Sequence, residues 1–177
     1  IMGHKAFKEH FNITAHIVSI DKGVLYIGSD HASKLVGFNM HTGEIMLNEV
    51  FGRFLDKYYP HVKEASNEER LALIQVGDHF DKSIVVYTYR DGEIVEKFCE
   101  ELGFPNVTHD GELMYNNTHF IKKIDALNYA HRNLGCSIEN ISESIADLEE
   151  RLVEKQNLLE LTKKQRAELE REIAICG

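Results

Sequence analysis

From Ser137 to Cys176 the chain runs forty residues without a proline or glycine, and its apolar side chains recur at alternating spacings of three and four. That spacing draws one stripe down an α-helix with the period of a coiled coil. In one register the seam reads Ile138, Ile141, Ile145, Leu148, Leu152, Lys155, Leu159, Thr162, Arg166, Leu169, Ile173 and Cys176, of which nine of twelve are apolar. A lone helix cannot bury such a stripe, so the segment must pack on a second copy, on another protein or on the rest of its own chain. At 1.5 Å per residue it spans about 60 Å, against roughly 30–35 Å for a domain made from the remaining residues. Most of the stripe would overhang, which favours a partner outside the chain. The residues expected to carry oligomerisation are Ile138, Ile141, Ile145, Leu148, Leu152, Leu159, Leu169 and Ile173. Lys155, Thr162 and Arg166 weaken the middle of the seam. Leu158 and Leu161 lie off it, which suggests that this stretch meets something besides its twin.

The phase extends upstream. Phe120, Ile124, Leu127 and Leu134 fall on the same face, and the series enters Ile138 without a break although Gly135 lies inside it. The unbroken register favours one helix from about Thr118. The alternative is a helix that ends at Gly135 and restarts at an N-cap on Ser137. Either way the chain divides into a globular head over residues 10–116 and a helical stalk over 118–176, with the coiled coil starting near 137.

The head reads as α/β or α+β with a mixed sheet. Residues 13–20 and 24–28 are rich in β-formers and meet at Asp21-Lys22-Gly23, a hairpin signal. Residues 34–40 and 44–50 repeat the pattern around His41-Thr42-Gly43. Two helices follow: residues 51–59, ended by Pro60, and residues 66–76, with Ser66 as N-cap and Glu69 three residues on as its reciprocal partner. Residues 83–89 form a nearly continuous run of β-formers, expected as a strand buried on both faces, with a helix over 91–102 closed by Gly103 and a further short strand over 105–109.

Asp81-Lys82-Ser83-Ile84-Val85-Val86-Tyr87-Thr88-Tyr89-Arg90-Asp91-Gly92-Glu93, with Phe98-Cys99-Glu100-Glu101-Leu102-Gly103-Phe104 downstream, resembles the active-loop region of rhodanese-like sulfurtransferase domains. The likeness covers residues 81–112. It implies a strand, a ligand-facing loop and a helix. Where that family places its nucleophilic cysteine this chain has Thr88, and where a basic residue often closes the loop it has Glu93. A threonine hydroxyl cannot carry a persulfide, so the resemblance implies a domain without sulfur-transfer chemistry. Independently of family, a strand-to-helix turn collects ligands at the carboxyl end of its strand, which makes Thr88, Tyr89, Arg90 and Gly92 the candidate ligand-binding residues.

The net charge of −9 decides against nucleic acid. Acidic residues exceed basic ones both before residue 136, nineteen to fourteen, and after it, ten to six, so no basic surface is available for a phosphate backbone. Neither a paired His motif at i, i+4 nor a Cys-x-x-Cys is present among the ten histidines and three cysteines, and no metal or cofactor is expected. The three cysteines, odd in number and far apart, suit reduced thiols. With no leader pattern ahead of Met2, the expected natural start, and no apolar run near 18 residues, the sequence reads as a cytoplasmic protein that does not enter a membrane. The expected partners are a second copy of the chain and another protein. The expected role is a non-enzymatic interaction or regulatory one, with an enzyme or small-ligand binder at loop 88–93 as the alternative.

Overall fold

The computed structural model describes residues 3–47 and 52–176, so residues 48–51, the end of the second expected hairpin and the start of the first expected helix, lie outside the described residues. The fold is mixed α and β, with two antiparallel sheets and a long C-terminal helix. The chain divides into two compact units, residues 1–129 and 130–177.

In the first unit, β1 (Ile17–Asp21), β2 (Val24–Gly28), β3 (Val36–Asn39) and β4 (Ile45–Leu47) form an antiparallel meander in chain order. Both expected hairpins are present. Pairing of Leu25 with Phe38 and of Ile27 with Val18 and Val36 puts these five side chains on one face. That face is buried with Phe7 and Phe11 from α1 (His4–His10) and its end, Leu55 from α2 (Phe54–Tyr58), Val62 from α3 (Pro60–Glu64) and Ile74 from α4 (Asn67–Gln75). The head begins earlier than residue 10, because α1 carries core residues. Pro60 does more than end the preceding helix: it occupies the first turn of α3, where its fixed φ and missing N–H fit. At α4 the Ser66 hydroxyl accepts from Glu69 N at 3.1 Å as expected. The reciprocal half is replaced by a contact of the Glu69 carboxylate with His10 Nε2 at 3.4 Å.

Two buried charged groups fasten the helices. The Arg70 guanidinium, 4% exposed, donates to Gly43 O at 2.8 Å, Val62 O at 3.0 Å, Ala65 O and Asn67 Oδ1. One side chain thus ties the β3–β4 turn to the end of α3 and the start of α4. The fully buried Asp78 carboxylate caps α1 from a distance, accepting from Lys5 N at 3.0 Å and Ala6 N at 2.8 Å. Gly3, at the N-cap, has no side chain to do so. His4 Nδ1 lies 3.0 Å from the same carboxylate.

The second sheet, ordered β6-β5-β7, is also antiparallel throughout, so the expected mixed sheet is corrected. β5 spans Ile84–Arg90 and β7 His119–Phe120. The helix expected over 91–102 is instead β6, Glu93–Cys99, folded back on β5 by a two-residue turn with φ of 49° at Asp91 and 96° at Gly92. Positive φ at both central residues makes a type I′ turn, which Asp-Gly adopts at little cost and which matches strand twist. β5 itself is half-buried, with Val86 and Thr88 facing inward, and not covered on both faces. The expected strand at 105–109 is reduced to two isolated bridges, Cys99 with Thr108 and Val107 with Leu113.

The final helix, α5, runs from Lys123 to Cys176 without interruption, 54 residues or about 80 Å. It starts later than Thr118, since His119 and Phe120 pair with Thr88 and Tyr87. Gly135 is helical, with nothing within 4 Å of the place a Cβ would take.

Two outcomes follow for stability. Burial alone would raise the Asp78 carboxyl, but the His4 contact and the two amides outweigh it and hold the group below the usual carboxylate range. The unfolded chain therefore takes up the proton first, near pH ~3.9. The contribution is complete above that value and lost as pH falls toward the folded one. Asp78→Asn is expected to cost about 1–3 kcal/mol near neutrality. In paired urea titrations the gap from the parent should close as pH falls below about 4. In the stalk, Gly135→Ala should stabilise α5 by up to ~1 kcal/mol in thermal melts followed by helical circular dichroism. A loss of helix instead would place a cap at Gly135.

Candidate functional site

Strand alternation puts Val86, Thr88 and Arg90 of β5 on the same face as Lys97 and Cys99 of β6, because Val86 lies directly opposite Lys97. His119 of β7 joins them opposite Thr88. One end of this face is a small apolar core of Val86, Cys99 and Met114. The other end is charged, and the loop after β6 supplies its anions. Lys97, 7% exposed, meets the carboxylates of both Asp110 and Glu112. Arg90 meets the same Glu112 oxygen, and His119 Nε2 stands 3.7 Å from the other. Thr108, fully buried, fixes this loop: its hydroxyl contacts Asp110, and it accepts from Glu112 N at 3.1 Å.

The electrostatics follow from that packing. Burial, the largest influence, pushes the His119 imidazole below the ordinary histidine value, with Glu112 pulling against it and Lys97 and Arg90 adding to it. The ring is therefore neutral at pH 7, with Nδ1 3.0 Å from the Thr118 hydroxyl. Burial would also raise Asp110, but the ammonium of Lys97 and the Thr108 hydroxyl prevail and hold it low. Cys99 is pushed upward by burial, so it stays a thiol, its Sγ 3.6 Å from Ile84 O. Beside the cluster lies an open cleft of about 880 Å³, where Lys22, Lys34, Arg90 and Lys97 are matched by Asp21, Asp91, Asp110 and Glu112. A second cleft of about 490 Å³ is walled by Lys5, Lys8, Glu100 and the stacked rings of Phe80 and His109, 3.8 Å apart. In the first cleft, Lys34 is paired with Asp21, and Arg90 and Lys97 with Asp110 and Glu112. Such an arrangement fixes a loop and offers no surplus charge to a ligand.

The four sequence-derived ligand residues are only partly brought together. Thr88 and Arg90 face the charged cluster. Tyr89 points to the opposite face of β5, and Gly92 sits in the hairpin turn with nothing within 4 Å of its Cβ position. The strand, loop and helix that the rhodanese resemblance implies over 81–112 are here an antiparallel hairpin, and Thr88, 4% exposed, lies inside a strand instead of at the mouth of a loop. Lys97, Thr108, Asp110, Glu112 and His119 were not singled out from sequence. The signal that would have found them is the Asp91-Gly92 turn, which forces residues 93–99 into alternation and Lys97 inward.

The eight expected oligomerisation residues all lie along α5, and each is between 50 and 71% exposed. Among the described residues, no group of three His, Cys, Asp or Glu side chains is placed to hold a metal ion. No protein-family model, curated protein or solved structure matches the chain.

The charged cluster should behave as a structural ion network. Lys97→Met removes the cation of Asp110 and leaves Glu112 to Arg90 alone, and it is expected to cost about 2–4 kcal/mol in urea denaturation. Adding Glu112→Gln should recover part of that loss. A double mutant no better than the sum of its singles would show that the pair is not coupled.

Proposed function

We propose that the protein is a non-enzymatic cytosolic interaction protein that self-associates through α5 and presents its head to another protein. The observation that carries this reading is the exposed stripe from Ile138 to Ile173, borne at heptad spacing on an uninterrupted helix. Scattered exposed apolar residues are ordinary on a protein surface, whereas a contiguous band of this length marks an interaction surface. The off-seam residues Val153, Leu158 and Leu161 are exposed as well and widen the apolar band near its middle, which supports a second protein ligand there. A cytosolic setting is supported by the three free cysteines. No described helix is long and apolar enough to cross a membrane. The alternative, ligand chemistry at residues 88–93, has less support, because Arg90 and Lys97, which line the cleft there, are already paired with Glu112.

Each buried leucine or isoleucine contributes roughly 1.5–3 kcal/mol, so two charges placed in the seam should abolish association. Light scattering of the full chain at tens of micromolar is expected to give an oligomer, and Ile145→Asp with Leu148→Asp a folded monomer. A parent chain that is monomeric under those conditions would remove the basis of the reading.

A further inference from the structure

We infer that the second copy lies parallel and in register, making α5 one strand of a two-stranded coil; this rests on the self-association proposed above. With Ile138 assigned to position a, Leu134, Ile138, Ile141, Ile145, Leu148 and Leu152 form six consecutive apolar seam positions, followed by Lys155, Leu159, Thr162, Arg166, Leu169 and Ile173. In a parallel pair each position meets itself, so the six apolar layers stay intact and the polar ones, Lys155 on Lys155, Thr162 on Thr162 and Arg166 on Arg166, are confined to the other half of the seam. An antiparallel pair overlapping the whole stripe sets Leu148 against Leu152, and therefore Lys155 against Ile145, Thr162 against Ile138 and Arg166 against Leu134. All three polar residues then fall within the best apolar block.

The flanking positions agree. Across a parallel seam the facing pairs are Ser144 with Glu149, Arg151 with Gln156, Leu158 with Lys163 and Gln165 with Glu170, none of like charge. The antiparallel overlap sets Glu149 against Glu149 and Arg151 against Arg151 of the other copy.

Strand number is read from side-chain shape. In this register the a positions hold Ile124, Ile138, Ile145 and Ile173 beside His131, Leu152, Leu159 and Arg166, and the d positions hold Leu127, Leu134, Leu148 and Leu169 beside Ile141, Lys155, Thr162 and Cys176, so isoleucine leads at a and leucine at d. Isoleucine at a with leucine at d is the combination that favours two parallel strands. Two strands also leave the seam edges open to water, so the stems of Lys155 and Arg166 can cover the seam while their charges reach solvent. Arg166 already has its counter-ion, Glu170, at 2.8 Å on its own helix. A third or fourth strand would enclose both cations. The eleven exposed apolar seam residues from Ile124 to Ile173 would cover on the order of 2,000 Å² in such a pair, above the ~1,000 Å² that a specific interface needs.

Cys176 occupies a d position at the far end, so a parallel pair brings two of these thiols together and an antiparallel pair holds them at opposite ends. The experiment uses the full chain carrying Cys136→Ser, oxidised with diamide: two thiols give up two protons and two electrons to form the disulfide, and the diazene is reduced to its hydrazine. We expect a dimer mass by sedimentation equilibrium and a linked dimer on a non-reducing gel, formed at a rate independent of dilution and lost with Cys176→Ser. Ile141→Cys in a chain lacking Cys136 and Cys176 should link in the same way, which guards against fraying at the terminus. A dimer that links at neither site overturns the parallel orientation and leaves self-association standing. A trimer or tetramer mass overturns the two-stranded coil. A monomer overturns the self-association reading itself.

Discussion

A guanidinium buried among backbone oxygens sets the architecture of the first half of the head. Arg70 reaches the last turn of α3, the first residue of α4 and the turn after β3, 27 residues up the chain, and so holds a distant turn to two consecutive helices too short to be stable by themselves. Its partners are carbonyls and an amide rather than carboxylates, so its charge is solvated by the chain instead of being neutralised. Burial pulls the group downward from its ordinary value, yet arginine keeps its proton across any ordinary pH. The helices of this half are five to nine residues long, and their positions are fixed by that fork and by the apolar face of the meander together.

How far the sequence could be read differs between the two sheets, and the difference has one physical origin. In β1 to β3 the inward face is apolar, with Val18, Leu25, Ile27, Val36 and Phe38 buried together, so alternation, Gly23 and Gly43 reveal strands and turns directly. In β6 the relation is inverted: Lys97 is buried and Phe98 is 42% exposed. A pattern read by hydrophobicity then has the wrong phase, and the run from Asp91 to Leu102 passes for a helix. The Asp91-Gly92 pair carried the correct answer, but its weight is local while the misleading signal spans the segment. The stalk was the most legible part, because forty residues of repeated spacing average out single exceptions such as Gly135. The candidate site was the least legible. Its members come from three strands and a loop, and only their pairing register brings them to one face.

These two kinds of surface also separate binding from stability. The charged face of the second sheet is complete in itself, each cation there having met a carboxylate within the chain. The stripe on α5 is incomplete, its apolar atoms facing water. A surface of the first kind specifies how a loop is held. One of the second kind lowers its free energy when it is covered.

The two sheets are stabilised by different physics, and temperature tells them apart. The meander rests on a large apolar core, from Phe7 and Ile13 to Phe38 and Ile74, whose contribution per unit area weakens on cooling and levels off on heating. The second sheet has three fully buried apolar residues, Val86, Cys99 and Met114, and beside them the ion network around the buried Lys97. Hydration of charged groups becomes less favourable as temperature rises, so the penalty for burying Lys97 and Glu112 shrinks in warmth. Warming therefore favours the sheet with the buried ions relative to the one with the larger apolar core.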